Sequence, residues 1–237
     1  MHPLVSPGAG PIPGVPQHQP SNLFRFGEIT LYSTFCFPGP LAIANTSNRL
    51  FATPLGQNGQ GWPAGVAMSV NETNLKEGGR IPSGQAYDVF GVAAQVMAFD
   101  STAANNTLDN AWNVSGPASG AALGLVNDLQ NIVSNSVLVW DFTQTVVFIC
   151  PLMLAGAGGG VFGAVSQNAA GADNGAMNNG NGGIWMYRRH PVALPGNSTF
   201  AVLIDFGGRA AAIGAAPAGA AIRVVLLGYY KSVIEIG

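Results

Sequence analysis

The chain has 237 residues, room for one large all-β domain or two small ones with a proper core. Only 8% of them are charged, against about 25% in ordinary soluble domains. Nine Lys and Arg against eleven Asp and Glu leave a net charge of −2, so there is no basic stripe for nucleic acid and no polybasic cluster for anionic lipid.

A surface so poor in charge favours association. It suits a membrane, a fibre, or a shell whose copies cover one another. The hydrophobic content of 48% argues against disorder throughout, while 33 Gly and 16 Pro point to long loops.

Residues 1–22 hold six prolines (Pro3, Pro7, Pro11, Pro13, Pro16 and Pro20) and no charge. Proline fixes φ and removes a donor, so this stretch reads as an extended arm. It is either a tail or an arm laid on a neighbouring subunit. Met1–Pro7 shows neither a basic nor an apolar leader region, so assembly in the cytoplasm is expected. Phe24 to Phe37 alternates as a strand, with Ile29, Leu31, Phe35 and Phe37 on one face, and Pro38-Gly39-Pro40 stops it. Leu41–Thr53 is a weaker strand candidate, Gly56–Gly65 a loop, and residues 66–81 a polar, turn-rich stretch.

Gln85–Phe99 has a strand pattern. Residues 100–135 are rich in Asn, Ser, Ala and Gly, with a short helix expected over Ala121–Val133. Val137–Leu154 is the strongest β signal, as two strands or one bent one. Residues 156–183, with ten glycines, read as a long loop. Ile184–Arg189, Phe200–Phe206 (Phe200, Val202, Ile204 and Phe206 inward) and Ile222–Ile236 complete about eight strands. That count belongs to an all-β sandwich or barrel. The uncharged run Phe142–Ala172 includes a bilayer-length stretch, Thr145–Val165, but Pro151 and five glycines interrupt it. A buried strand entering a glycine loop accounts for it better than a spanning helix.

No motif names a chemistry. Gly158-Gly159-Gly160-Val161-Phe162-Gly163 spells a dinucleotide fingerprint, but no helical stripe and no ribose-binding acid follow it. His2, His18 and His190 have no metal-ligand spacing. Cys36 and Cys150 sit far apart in separate apolar runs and read as buried free thiols, with a disulfide between them as the alternative. Five sequons (Asn45, Asn71, Asn105, Asn113 and Asn197) are chance matches in an Asn/Ser/Thr-rich chain. No catalytic, cofactor or metal residue is assigned, and no small-molecule substrate. Arg188-Arg189 stands out because charge is scarce: two adjacent guanidinium groups need anionic or carbonyl partners, so both are candidate subunit-interface residues.

Residues Gly183 to Arg189 run into Pro191-Val192-Ala193-Leu194-Pro195-Gly196-Asn197-Ser198-Thr199-Phe200-Ala201-Val202, and Ile222-Arg223-Val224-Val225-Leu226-Leu227-Gly228-Tyr229 follows. This resembles the closing strands of jelly-roll major capsid proteins from tailless icosahedral bacteriophages, particularly those with an internal membrane. Ile81-Pro82-Ser83-Gly84-Gln85 is similar to a turn in the same proteins.

The resemblance covers about 60 residues. It implies an icosahedral shell of trimers or pseudo-hexameric capsomers with upright barrels, a virion location after assembly in the host cytoplasm, and other capsid proteins or an internal lipid membrane as further partners.

The expected organisation is a Pro/Gly-rich arm over 1–22 and a jelly-roll domain over 23–237 with long loops at 100–135 and 156–183. Strand count fits a single roll, with a compact double roll as the alternative. The expected function is a structural, self-assembling virion protein and not an enzyme. Two other readings stand beside it: a carbohydrate-binding or hydrolytic jelly roll, which would need clustered acids or exposed aromatics at a cleft, and a membrane-associated structural protein using residues 145–165.

Overall fold

A computed structural model describes residues 23–28, 30–37, 41–43, 48–59, 67–100, 131–155, 162–167, 173–178, 185–186, 190–208, 211–213 and 218–234. The described residues are all-β, built of antiparallel sheets with almost no helix. In order come β1 (Leu23–Glu28), β2 (Leu31–Phe37), β3 (Leu41–Ile43), β4 (Asn48–Leu50), β5 (Gln85–Asp100), β6 (Val137–Phe142) and β7 (Thr145–Pro151). After a 3-10 turn at Leu152–Ala155 follow β8 (Phe162–Gln167), β9 (Asp173–Asn178), β10 (Trp185–Met186), β11 (Val192–Leu194), β12 (Phe200–Asp205), β13 (Ala211–Ile213) and β14 (Ala218–Ile234).

β14 organises the larger sheet. β1 and β2 pair end to end along one of its edges and β5 along the other, while β10 and β11 lie end to end against β5. The second sheet runs β4-β12-β6-β7. Around these the ladders nest: β1 and β2 pair with β14, β3 with β13, β4 with β12, β5 with β10 and β11, and β6 with β7. The described chain is thus one long antiparallel ribbon folded back on itself.

One hydrophobic core joins the two larger sheets. Leu31, Phe35, Val92, Val96, Ile222 and Val224 enter it from the first, and Leu50, Leu138, Trp140, Phe148, Phe200 and Ile204 from the second. Each such side chain contributes about 1.5–3 kcal/mol on burial. Phe200, Val202, Ile204 and Phe206 all point inward, as their alternation predicts. β5 behaves differently. Its core residues are even-numbered at Val92, Ala94 and Val96 but odd-numbered at Tyr87 and Val89. The register slips where Gly91 and Val89 face Leu227 and Gly228, leaving Phe90 as the extra residue of a bulge. Gly228 fits there because a Cβ would lie 2.7 Å from the Asp88 carbonyl oxygen.

Several expected elements change. Residues 156–183, read as loop, contain the paired strands β8 and β9. Val137–Leu154 divides into β6 and β7 around a two-residue turn, Thr143-Gln144, with φ of 48° and 66°. The stretch 100–135 is described only at its ends, where residues 131–135 are helical. The arm at 1–22 lies outside the described residues.

Candidate interaction surfaces

Arg188 and Arg189 lie outside the described residues, as do His2 and His18; His190 is described and exposed. Of the dinucleotide-like spelling, Phe162 and Gly163 open strand β8, where a phosphate-binding fingerprint would open a helix. Among the described residues no group of three or more His, Cys, Asp or Glu is placed to hold a metal, and no helix is long and apolar enough to cross a membrane. Cys36 and Cys150 are buried free thiols. Burial, and then the Glu72 charge, raises Cys36 well above the usual thiol range, and burial raises Cys150 to about 11. Both remain protonated near neutrality and are poor nucleophiles.

Three surfaces bring polar and exposed apolar groups together. The first is the outer face of the larger sheet, where the segment 69–75 docks against β2 and β14. Ser69-x-x-Glu72 closes a turn in the manner of a capping box: the buried Glu72 carboxylate accepts from the Ser69 N–H at 2.7 Å and from its hydroxyl. Asn74 bridges to the edge of β2, accepting from Tyr32 N–H at 3.0 Å and donating to the Thr30 carbonyl at 2.5 Å. Thr34 Oγ1 donates to the Glu72 carbonyl at 2.9 Å. Arg223 donates to Thr34 Oγ1 at 3.2 Å and to the Asn71 carbonyl at 2.5 Å, with its guanidinium 5.9 Å from the Tyr32 ring centre. Burial lowers the Arg223 pKa, and the Glu72 charge opposes that shift. A shallow cleft of about 290 Å³ remains on this surface, lined by Thr30, Tyr32, Val70, Asn71, Arg223 and Val225.

The second surface lies near the C-terminal part of β14. Tyr229, 48% exposed, packs its ring 5.2 Å from Phe90, and Lys231 pairs with Asp88. A shallow cleft of about 290 Å³ adjoins them, lined by Gln85, Ala86, Asn197, Lys231 and Ser232.

The third is the outer face of the second sheet with its β7 edge. Cross-strand register sets Ile149, Val139, Leu203 and Arg49 in one row, with Asp141 beside Ala201 in the next. Ile149 is 65% exposed; Val146, Met153 and Leu154 are each half exposed or more. Leu152 N–H donates to the Ser136 carbonyl at 3.0 Å. By antiparallel alternation this turns the backbone of Cys150 and Phe148 toward β6, and that of Ile149 and Pro151 outward. Pro151, lacking an N–H, suits an edge position.

Three other edges are managed. β2 is covered by Asn74 and Thr73, β4 is three residues long and carries Arg49, and β11 sits between Pro191 and Pro195. β7 has no charged residue, and only Pro151 blunts it.

Reasoning from sequence did not single out Arg49 or Asp141. The signal available was apolar residues at outward positions: Val139 in β6, Ala201 and Leu203 in β12. Comparison of the chain with protein-family models, curated proteins and solved structures gives no match in any of the three.

Proposed function

We propose that the chain is a single-jelly-roll major capsid subunit that self-associates into trimers or pseudo-hexameric capsomers of an icosahedral, bacteriophage-type shell. The observation that carries the reading is the order of strand pairing. Take β1 with β2 as the first strand of a roll, β4, β5, β6 and β7 as the second to fifth, β10 with β11 as the sixth, and β12 and β14 as the seventh and eighth. Strands 1 and 8, 2 and 7, 3 and 6, and 4 and 5 then pair, and the sheets run 1-8-3-6 and 2-7-4-5. A ribbon rolled on itself gives this order, and an eight-stranded jelly roll is such a ribbon.

Jelly rolls also serve lectins and cupins, so the fold leaves function open. Two features favour a shell: charge on only 8% of residues, and a long apolar edge left without the usual protection. A subunit enclosed by copies of itself tolerates both. Other capsid proteins and an underlying lipid membrane are partners this reading accommodates, with the virion as its location and no catalytic role.

The test is light scattering after size-exclusion chromatography, with electron microscopy of the same fractions. Trimers or larger species that close into shells are expected; a monomer at every concentration and ionic strength overturns the reading.

One observation favours a second reading, a carbohydrate-binding jelly roll: the Phe90–Tyr229 ring pair beside Asp88, Lys231 and their cleft. Saturable glycan binding abolished by Tyr229→Ala would support it, and loss of self-association would not accompany that substitution.

A further inference from the structure

Among the described residues the second sheet ends at β7. The N–H and carbonyl of Ile149 and the carbonyl of Pro151 point away from β6. Ile149 is 65% exposed, and no residue of β7 is charged. Strand edges of this kind are normally paired, covered or charged. The sequence ahead of β1 holds a segment suited to pairing on one side only. Its prolines between residues 1 and 15 are Pro3, Pro7, Pro11 and Pro13, all odd-numbered, and every even-numbered residue there keeps its N–H. Alternate residues of an extended strand direct their N–H and carbonyl to opposite edges. Such a segment therefore offers an unbroken row of donors along one edge and a row interrupted by proline along the other. The parity then changes, with Pro16 and Pro20 both even.

We propose that residues 1–15 add to the β7 edge of their own molecule as a fifth, antiparallel strand of the second sheet, with the even-numbered residues toward β7. The fold supplies the starting point. Leu23 pairs with Ile234 and Ser232 with Gln85, Gly196 packs against the Gln85 carbonyl, and the Thr199 carbonyl accepts from Thr143 N–H. β1 thus begins at the end of the sandwich where the Thr143-Gln144 turn leads into β7. A segment that approaches Leu23 along β7 must run antiparallel to it. The fold also supplies the distance. β2 lies against β4, and β5 against the 3-10 turn that follows β7, so β1 and β7 occupy opposite flanks. Three strand spacings and one gap between sheets put them about 18 Å apart. Residues 16–22 span about 23 Å when extended, enough for the crossing, and leave residues 1–15 to pair. Even-numbered residues would share a face with Ile149, so Leu4 or Ile12 can cover it, while their N–H groups meet the Ile149 and Pro151 carbonyls. The prolines face outward, as edge prolines do, and the sheet stops there. Pairing of this kind needs no second copy. It removes the β7 edge as a reason for self-association and leaves the scarcity of charge to favour it.

The experiment is residue-resolved hydrogen exchange at the Ile149 amide, read by mass spectrometry on the full chain. Adding prolines at odd positions (Val5→Pro, Ala9→Pro and Val15→Pro together) should leave exchange within twofold of wild type. Adding them at even positions (Ser6→Pro, Gly8→Pro and Gly10→Pro together) should speed it at least tenfold, as should deletion of residues 1–15. The two proline sets decide the question should the deletion variant fail to fold. Equal exchange in both proline sets, or an Ile149 amide that stays slow after deletion, overturns the pairing. So does protection that the deletion variant regains when mixed with wild type, which would assign the added strand to a neighbouring copy. The capsid reading fails separately: a protected monomer removes that reading and keeps this one, and shells with a fast-exchanging Ile149 do the reverse.

Discussion

Phe51 offers a measurement in which the usual order of two substitutions should invert. It lies just after β4 with φ of 61°, fully buried, its ring 5.4 Å from that of Phe200. A bulky residue in the left-handed region is an outlier that persists only when its surroundings over-determine it. Here the core holds the ring. The backbone is fixed at both ends, with Phe51 N–H donating to Ser33 Oγ at 3.0 Å and the Phe51 carbonyl accepting from Gly79 N–H at 2.5 Å.

Phe51→Ala removes the buried ring and should cost about 3–5 kcal/mol, out of a total stability of about 5–15 kcal/mol. Alanine still bears the left-handed strain of roughly 1–2 kcal/mol. Phe51→Gly loses the same ring and sheds that strain, at an added chain-entropy cost of about 0.5–1 kcal/mol. Both variants keep the two backbone hydrogen bonds. The Gly variant should therefore be the more stable of the two by about 0.5–1 kcal/mol, the reverse of the order in an ordinary strand. Urea unfolding, followed by tryptophan fluorescence at concentrations too low for association, measures both, and equal m-values make them comparable. An Ala variant as stable as the Gly variant refutes the strain argument.

The β6–β7 turn should respond in the opposite sense: replacing Thr143-Gln144, both at positive φ, with Asn-Gly should stabilise by about 1 kcal/mol and raise Tm by roughly 2–4 °C in a scanning calorimeter. Glu72→Ala removes the acceptor that closes the 69–72 turn. It should cost about 1–3 kcal/mol and expose residues 69–75 to limited proteolysis. The thiols set an alkaline limit. Cys150 is raised from 9.0 to about 11 and Cys36 is raised as well, so the unfolded chain releases protons first. The Cys150 contribution to stability is full below pH 9 and is lost as pH rises toward 11, by at most about 1.4 kcal/mol per pH unit. Cys150→Ala should flatten that slope in unfolding titrations between pH 8 and 11.

The sequence was legible where local pattern and tertiary environment agree. Phe200 to Phe206 alternates without interruption because β12 lies inside its sheet with one face on the core. β5 was harder to read face by face, since the bulge at Phe90 reverses which parity points inward. β8 and β9 escaped notice because Gly, Ala and Asn give a strand no hydrophobic signature. The Arg49–Asp141 face was beyond local reading altogether. It arises only when the register Arg49–Leu203–Val139 brings together residues far apart along the chain.

The nested ladders also set when this protein can fold. β14, at residues 218–234, is an inner strand of the larger sheet, flanked by β1 and β2 on one side and β5 on the other. A nascent chain that has made only β1 to β13 has β1 and β2 on one side, β5 with β10 and β11 on the other, and nothing to join them. Pairings between distant segments are slow because loop closure precedes any reward. The β14 strand is therefore a keystone supplied only after the strands it joins. Until a ribosome has delivered it, the two halves of the larger sheet cannot join.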